Sequence, residues 1–230
     1  MIVAIIPARG GSKRIPKKNI KKFFGKPIIS YSIKAAIDSN LFDKVIVSTD
    51  CDEIAQISIE SGADVPFIRP KELSGDFLGT HEVVGHAIRW LEDSGEVVEY
   101  ACCIYATAPM IQVSDLIKGF DLLRTGKWKS VIAATKYSYP IFRSFEKLPS
   151  GGLKMIFPEH YNSRSQDLPE VYHDAGQFYW AKSQEWKNKP SSSFSENNTI
   201  IELPHFLVQD IDTLDDWNRA EKIYESYKSK

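Results

Sequence analysis

The chain has 230 residues, 43% of them hydrophobic, and its 29 basic and 30 acidic residues leave a formal net charge of −1. This length and apolar content suffice for one large core with a modest elaboration. General nucleic-acid binding needs positive charge spread along a face, so the near-neutral balance disfavours a nucleic-acid partner.

The cysteines and the hydropathy of the chain indicate in which cellular compartment the protein resides. Cys102 and Cys103 are adjacent in an apolar run and Cys51 stands alone, which predicts buried thiols in a reducing compartment and not a disulfide framework. No window approaches the ~18 apolar residues of a membrane span. The N-terminal apolar run is shorter than a signal-peptide core and has its basic residues on the wrong side. We therefore expect a cytoplasmic protein with no membrane partner.

The first predicted element is a buried strand, Ile2–Pro7, followed by a basic, glycine-containing loop. Nine basic side chains precede Asp38, the first acidic residue of the chain. A positive field confined to one place in a neutral protein is typical of a site for a small polyanion. The order of strand, glycines and cations predicts a triphosphate, and the alternative is a solvated basic turn.

Within that loop, backbone amides and cationic side chains are both candidates for contacting phosphate. Gly10 and Gly11 allow close approach of the backbone to phosphate oxygens, and Arg9, Lys13 and Lys18 add direct charge. The glycine–lysine–Ser/Thr order of a P-loop is missing, and the dinucleotide fingerprint lacks its third glycine. A P-loop kinase and an NAD enzyme are both disfavoured.

The first half of the chain alternates short β-branched runs with longer segments of helical period. This pattern predicts an α/β fold with a Rossmann-like, mostly parallel sheet covered by helices on both faces. Strands are predicted at Ile2–Pro7, Lys44–Ser48, Tyr100–Tyr105 and Ser130–Ala134, and helices at Ile28–Ile37, Asp52–Ser61, Thr80–Asp93 and Ser114–Thr125. Ser114 is the expected N-cap of its helix, and Pro27 falls where a first helical turn tolerates proline. Ligands in such sheets bind beyond the carboxyl ends of the strands, which makes the loops after Pro7, Ser48 and Tyr105 site candidates.

Two histidines in the helix Thr80–Asp93 do not form a zinc site. His81 and His86 are five positions apart, whereas helical zinc motifs place them four apart, so the two imidazoles diverge by roughly 140°. No motif for nucleophilic acyl transfer is present either.

The alternation stops near Tyr137, where prolines and glycines are scattered among aromatic and charged residues. We expect residues 137–199 to form an inserted segment, with Lys187–Thr199 a mobile surface loop. Residues 1–136 and 200–230 are then the main α/β domain.

The chain is predicted to return with a strand at Leu207–Thr213 and a closing helix from Asp215. Thr213 and Asp216 resemble a variant capping box. On a strand, Asp210 and Asp212 would share one face, and two hard oxygen donors suit a magnesium ion that also binds phosphate. The alternative is a pair of acids that face solvent or begin the helix.

Five segments in chain order resemble the CMP-sugar synthetases that activate nonulosonic acids with CTP. They are IPARGGSKRIPKKN from Ile6, VSTD from Val47, RPKEL from Arg69, ATAP from Ala106 and QDIDT from Gln209. The resemblance implies a nucleotide-diphospho-sugar transferase type of fold and transfer of CMP from CTP to the anomeric hydroxyl of a nine-carbon acidic sugar, with release of pyrophosphate. It also implies Mg²⁺ and a homodimer, with residues 137–199 contributing dimerisation and sugar binding.

Within that family, the segments CCIYATAP from Cys102, PEHYNSRSQDLPE from Pro158 and YHDAGQFYW from Tyr172 are most similar to the pseudaminic acid branch. Sialic acid synthetases usually carry Gln-Pro-Thr-Ser-Pro where this chain has Tyr105-ATAP, and an Arg-Pro-Asn-Gly-like segment where it has His173-DAG. The 3-deoxy-octulosonate branch has an aspartate after the strand from Tyr100 that Ala106 and Thr107 do not supply. A sialic or legionaminic acid synthetase is the nearest alternative.

The resemblance also assigns roles to individual residues. Arg9 and Lys18 would grip the phosphates and Asp210 and Asp212 would hold the metal, and these four form the expected catalytic set. The expected CTP-binding residues are Ala8, Arg9, Gly10, Gly11, Ser12, Lys13, Lys18, Asn19, Arg69 and Thr80. The expected sugar-binding residues are Tyr105, Arg164, His173, Gln177 and Tyr179. The resemblance does not decide whether Asp210 or a metal-bound water is the general base.

Two functions from other classes are compatible with this order of motifs. A glycosyltransferase of similar fold would use an Asp-x-Asp motif, which normally follows a central strand, whereas this chain has its Asp-x-Asp close to the C-terminus. A regulator could bind CTP without turning it over, although it would not need both Asp210 and Asp212 beside the basic loop.

Overall fold

The computed structural model describes residues 1–75, 78–188 and 194–228. The strands are β1 (Ile2–Pro7), β2 (Lys22–Phe23), β3 (Lys26–Pro27), β4 (Lys44–Ser48), β5 (Tyr100–Ile104), β6 (Ser130–Lys136), β7 (Phe145–Lys147), β8 (Leu153–Met155), β9 (Tyr172–Lys182) and β10 (Asn198–Glu202). The α-helices are α1 (Ile29–Asp38), α2 (Asp52–Glu60), α3 (Thr80–Asp93), α4 (Val113–Arg124), α5 (Ser183–Lys187) and α6 (Leu214–Lys228). Short 3₁₀ turns include Lys18–Ile20 and His205–Leu207. No helix among the described residues is both long enough and apolar enough to cross a bilayer.

The main sheet has six strands in the order β10-β6-β9-β5-β1-β4. Strand β1 runs parallel to β4 and β5, β10 runs parallel to β6, and β9 is antiparallel to both of its neighbours. The expected mostly parallel sheet is confirmed. Because the strand order changes direction at β1, the loops after β1, β4 and β5 meet at one edge.

Helices cover both faces of this sheet, as the near-continuous apolar strands predict. On β1, Ala4 and Ile6 belong to one buried cluster while Val3 and Ile5 belong to the cluster on the opposite face. Helix α4 packs on the first face, and α3 and α5 pack on the second.

A third apolar cluster lies beyond the sheet and joins the two ends of the chain. Ile15 comes from the basic loop after β1, and Ile211 comes from residues 209–213, the acidic segment that contains Asp210 and Asp212. Both are fully buried in this cluster together with Trp217 of α6. The Trp217 ring meets Phe23 edge to face at 5.6 Å, and the Lys21 ammonium lies 3.9 Å from the centre of the same ring. Burial of these side chains holds residues 15–31 against residues 207–224.

Most predicted elements of the first half are confirmed within a residue or two, and β1, β4 and α3 have the predicted bounds. Two details are wrong. Helix α4 begins at Val113 after Gln112, so Ser114 is inside the helix and not its cap. Pro27 pairs in the small β2–β3 hairpin, and α1 begins only at Ile29.

The inserted segment is smaller than predicted, because residues 172–182 form a central strand of the main sheet. Strand β9 pairs with β5 on one side and β6 on the other, although its many aromatic and polar residues hide the alternation of a strand. The excursion from the sheet therefore covers residues 137–171, which contain the β7–β8 hairpin and short 3₁₀ turns. In the predicted loop 187–199, Lys187 ends α5 and Asn198 begins β10, while residues 189–193 lie outside the described residues.

The strand predicted at Leu207–Thr213 is wrong. A 3₁₀ turn ends at Leu207, and the chain continues without strand pairing until α6 begins at Leu214. The edge position beside β6 is taken by β10. The capping box is confirmed: the Asp216 carboxylate accepts hydrogen bonds from the Thr213 amide (2.8 Å) and hydroxyl (2.7 Å), and the Asp216 amide donates to the Thr213 hydroxyl at 3.2 Å.

Candidate functional site

The first cavity lies at the edge of the sheet where β1, β4 and β5 end, and it has a volume of about 510 Å³. Its lining mixes cationic side chains with small polar ones: Pro7, Arg9, Ser12, Lys13, Arg14, Lys18, Asn19, Arg69, Leu73, Ser74, Gly75, Leu78, Gly79, Thr80, Val83, Tyr105, Ala106, Thr107 and Asp212. Five of these side chains are cationic and one is anionic. The cavity therefore suits an anionic ligand.

The loop after β1 folds back on the protein through its backbone. The Gly10 amide donates to the Asp50 carboxylate at 2.8 Å, and the Ser12 amide donates to the Gly10 carbonyl at 3.0 Å. A Cβ added at Gly10 would lie 2.9 Å from the Cβ of Cys51, so only glycine fits this close approach. Gly10 and Gly11 were the residues expected to turn their amides to phosphate, and in this conformation the Gly10 amide is engaged within the protein.

Of the ten residues predicted to bind nucleotide, seven line the first cavity and three are absent from its lining. The three are Ala8, which is fully buried, Gly10 and Gly11. Asn19 is also largely buried, and its side-chain amide donates to the Arg9 carbonyl at 3.0 Å, which fixes the backbone that carries the Arg9 guanidinium.

Arg69 is a buried cation in the wall of the first cavity. Its side chain is 3% exposed and lies 3.9 Å from the Asp50 carboxylate. Burial lowers the pKa of the Arg69 guanidinium, and the charge of Asp50 opposes that shift. Asp50 therefore ties both Gly10 and Arg69 in place, each through the same carboxylate oxygen, which gives the loop after β4 a positioning role.

The acidic segment meets the basic loop at Lys18. The Lys18 ammonium donates to the Ile211 carbonyl at 2.6 Å and lies 3.4 Å from the Asp212 carboxylate, which is also 2.9 Å from the Arg14 guanidinium. Asp212 lines the first cavity, whereas Asp210 is absent from its lining. The two ends of the chain thus come together as predicted, although the carboxylates are carried by an irregular segment and not by a strand.

Asp210 is exposed and Asp212 is half-buried, although neighbouring protein atoms partly desolvate the Asp210 carboxyl. Burial first, and then the charge of Asp212, raise the pKa of the Asp210 carboxyl, while the charge of Lys18 lowers it. Two carboxylates that repel each other in a partly buried place favour a bound cation. Among the described residues, no group of three or more His, Cys, Asp or Glu side chains is arranged to hold a metal. A pair of carboxylates fits Mg²⁺, which commonly takes one or two protein carboxylates and completes its shell with phosphate oxygens and water.

A second cavity of about 610 Å³ adjoins the first on the α3 and α5 side of the sheet. It is lined by Gly79, Thr80, His81, Glu82, Tyr105, Lys129, Ser130, Ile132, Asp174, Tyr179, Ala181, Glu185, Trp186, Asn188, Phe194 and Asn198. Its floor is the face of β6 and β9 that α3 and α5 leave uncovered. The combination of apolar rings and scattered polar groups is typical of a pocket for an organic ligand.

Gly79, Thr80 and Tyr105 line both cavities. The Thr80 and Tyr105 hydroxyls lie 3.3 Å apart, and the rings of Tyr105 and Tyr179 lie 5.4 Å apart. Burial raises the pKa of the Tyr105 phenol. Two ligands in these cavities would therefore meet at Thr80 and Tyr105.

Three of the five predicted sugar-binding residues lie outside both cavities. Arg164 is in the excursion, where it pairs with Asp167 at 2.7 Å. His173 faces the Tyr137 ring at 4.8 Å. Gln177 is buried, and its side-chain amide donates to the Leu207 carbonyl at 2.6 Å, so its contact is structural. Tyr105 and Tyr179 line the second cavity.

Sequence reasoning missed three polar residues of this region. Asp50 follows β4, and its position at the end of a parallel strand was an available signal. Arg14 belongs to the acid-free N-terminal run but is not among the residues predicted to bind CTP. Asp174 lies in β9, which was not recognised as a strand, so its neighbours could not be inferred.

Residues 3–148 match the family model described as cytidylyltransferase. The chain is 42% identical over 222 residues to a pseudaminic acid cytidylyltransferase of Campylobacter jejuni subsp. jejuni, covering 96% of this chain and 95% of that protein. It is 33% identical to N-acylneuraminate cytidylyltransferase A of Danio rerio, over 96% of this chain and 50% of that protein.

A similar fold occurs in the solved structure of a CMP:2-keto-3-deoxy-manno-octonic acid synthetase in complex with CTP. The TM-score is 0.73 at 17% sequence identity, covering 98% of this chain and 99% of that chain. At this level of identity the likeness concerns the fold.

Proposed function

Because this chain belongs to the cytidylyltransferase family, we propose that it transfers CMP from CTP to the anomeric hydroxyl of pseudaminic acid, a nonulosonic acid, and releases pyrophosphate. Identity is higher to the pseudaminic acid enzyme of Campylobacter jejuni, at 42%, than to the N-acylneuraminate enzyme of Danio rerio, at 33%. This difference supports pseudaminic acid over sialic acid as the acceptor.

The observation that carries the proposal is the meeting of the basic loop and the acidic segment in one cavity. Lys18 bridges them, with its ammonium 2.6 Å from the Ile211 carbonyl and 3.4 Å from Asp212. A nucleoside triphosphate in this cavity finds the Arg9, Lys13 and Lys18 cations at its phosphates. Charge neutralisation at phosphorus is the main requirement of nucleotidyl transfer, in which an oxygen nucleophile attacks in line with the leaving pyrophosphate.

The adjoining second cavity is the place for the acceptor sugar. It shares Thr80 and Tyr105 with the first cavity, so an acceptor bound there presents its anomeric hydroxyl at the boundary, next to the α-phosphate. Attack forms the bond between the anomeric oxygen and phosphorus and breaks the bond to pyrophosphate. Enclosure of both reactants between these walls supplies orientation.

Asp210 and Asp212 are the residues that would hold Mg²⁺. When bound there, the ion offsets phosphate charge and lowers the pKa of a coordinated hydroxyl. Arg14 and Lys18 balance the charge of Asp212 in the structure as described.

We further propose that the chain works as a homodimer through the excursion 137–171. This segment carries large apolar side chains that are mostly exposed: Tyr139 (84%), Phe145 (60%), Leu153 (66%), Ile156 (55%) and Tyr161 (70%). Such a concentration of exposed apolar side chains marks an interaction surface. Sedimentation should give twice the 26.1 kDa mass of the chain, and a fully active monomer would contradict the dimer.

The test of the activity is incubation with CTP, Mg²⁺ and separate free nonulosonic acids: pseudaminic, legionaminic and N-acetylneuraminic acid. We expect pyrophosphate and a CMP-sugar in equal amounts with pseudaminic acid, identified by mass spectrometry, and little product with the other two. Omission of the sugar is the control for CTP hydrolysis. Preferred conversion of another acid would change the acceptor, and failure to transfer CMP to any of them would overturn the function.

A further inference from the structure

Asp174 lies at an irregularity of β9 that faces the second cavity. In the pairing of β9 with β6, Tyr179 is opposite Ile132 and Asp174 is opposite Ala134, so β9 advances five residues where β6 advances two. Gly176, inside this bulge, has a φ of +61°, a conformation that favours glycine. Bulges of this kind redirect side chains and occur beside active sites.

The bulge fixes both oxygens of the Asp174 carboxylate. One oxygen accepts a hydrogen bond from the Gly176 amide at 2.7 Å, and the other accepts one from the Tyr179 hydroxyl at 2.5 Å. The first bond is local and accounts for the shape of the bulge. The second crosses the bulge to a side chain that lines the second cavity, and the shape of the bulge does not require it.

Tyr179 connects Asp174 to the boundary between the two cavities. Its ring lies 5.4 Å from that of Tyr105, whose hydroxyl lies 3.3 Å from the hydroxyl of Thr80. Burial first, and then the charges of Tyr105 and Asp174, raise the pKa of the Tyr179 phenol well above its usual range. The phenol therefore stays protonated; its hydroxyl donates to Asp174 at 2.5 Å and also lies in hydrogen-bonding contact with the Tyr105 hydroxyl.

The same bulge also brings Asp174 near the acidic segment. A Cβ added at Gly176 would lie 3.5 Å from the carboxyl carbon of Asp210, and the charge of Asp174 is among the causes that raise the pKa of the Asp210 carboxyl. The bulge thus lies between the second cavity and the segment that carries Asp210 and Asp212.

We propose that Asp174 is a positioning residue for the acceptor: by taking the Tyr179 proton, it presents the phenol oxygen to the second cavity as a hydrogen-bond acceptor only. The group recognised is then a donor on the sugar, either a hydroxyl or an amide N–H. A sugar with no donor at that position loses this hydrogen bond, and the site discriminates against it. This inference rests on the proposed function and explains how the site selects its acceptor sugar.

The experiment is a double-mutant cycle of Asp174→Asn and Tyr179→Phe, measured with CTP, Mg²⁺ and pseudaminic acid. An asparagine oxygen can still accept from the Gly176 amide, so the bulge is retained, whereas its NH₂ group donates to Tyr179 and reverses that bond. We expect each single variant to raise the KM for the sugar about tenfold, with the KM for CTP unchanged. The double variant should be no worse than Tyr179→Phe.

Asp121→Asn is the matched control, because Asp121 pairs with Arg124 on the exposed face of α4, and its kinetics should equal the wild type. Additive effects in the double variant, equal rises in both KM values, or an unchanged sugar KM in Asp174→Asn would overturn the inference while wild-type turnover upholds the function. Absence of wild-type transfer to any nonulosonic acid would overturn the proposed function, and the inference with it.

Discussion

The two cavities meet at Thr80 and Tyr105, but the chain builds them in different ways. The first cavity is lined mainly by the loops that directly follow β1 and β5 and by residues 69–83, and it is rich in cations. The second lies on the uncovered face of β6 and β9, and residues distant in sequence, such as Glu82 and Phe194, close its sides. Phosphate recognition needs charge on short loops, whereas recognition of a sugar needs a shaped surface assembled by tertiary packing.

This contrast predicts that substitutions in the first cavity act on the nucleotide and on chemistry, that those in the second act on the sugar, and that those at the boundary act on both. The largest effect is expected at Asp212. Asp212→Ala removes a carboxylate proposed to hold Mg²⁺ and should lower kcat by roughly 10³-fold. Pyrophosphate release measures it, and an unchanged melting temperature shows that the fold is intact.

Asp215→Ala is the control for Asp212→Ala, since Asp215 lies in the first turn of α6 and outside both cavities. It should retain wild-type turnover. Undiminished turnover of Asp212→Ala would remove Asp212 from the metal site.

The next effect is expected at Arg9, whose guanidinium lines the first cavity. Arg9→Ala should lower kcat/KM for CTP about 10²-fold through lost phosphate contacts, with the order of preference among sugars unchanged. Steady-state kinetics with varied CTP measures it, and Arg124→Ala, on the surface of α4, is the matched control. A variant with normal CTP kinetics and a changed sugar preference would contradict the division between the cavities.

A substitution of Lys129 tests the second cavity. Lys129 lines the second cavity, and its ammonium lies 3.8 Å from Glu185, a distance too long for a hydrogen bond. The acceptor carries a carboxylate, so Lys129→Ala should raise the sugar KM about tenfold and leave the CTP KM alone. Lys127→Ala, two residues earlier and outside both cavities, should change neither. A rise in the CTP KM would contradict the assignment.

The smallest effect is expected at the boundary. Thr80→Val keeps the shape of the side chain but removes the hydroxyl that lies 3.3 Å from Tyr105. Both KM values should rise by about three- to fivefold, since one neutral hydrogen bond is lost beside each ligand. Thr125→Val, at the end of α4, is the control. A change confined to one substrate would place Thr80 in one cavity only.

The difference between the cavities also explains how far the sequence could predict this molecule. The buried runs at β1 and β4 and the acid-free loop are local signals, so the parallel sheet and the Arg9, Lys13 and Lys18 cations of the first cavity could be predicted from them. The places of Asn19, Arg69 and Thr80 in that cavity were implied by the family resemblance and not by local pattern. Strand β9 could not, because its aromatic and polar residues lack alternation and its partners, β5 and β6, are distant in sequence. The second cavity therefore stayed hidden, and Arg164, His173 and Gln177 were selected without a strand to orient them.

The acidic segment shows the same limit at a smaller scale. Asp210 and Asp212 lie near the basic loop, as predicted. The prediction placed them on a strand, whereas the structure has no strand between Leu207 and Leu214. What brings them there is burial of Ile15, Ile211 and Trp217 in one cluster. Such a long-range apolar contact has no signature in the local pattern.

The central claim is that the basic loop and the acidic segment enclose one nucleotide, and a crystal grown with CTP and Mg²⁺ tests it most directly. We predict the triphosphate in the first cavity, with its oxygens within about 3 Å of the Arg9 and Lys18 side chains, and a metal ion between the phosphates and Asp212. Nucleotide density elsewhere on the chain, or a triphosphate that contacts neither Arg9 nor Lys18, would contradict the account.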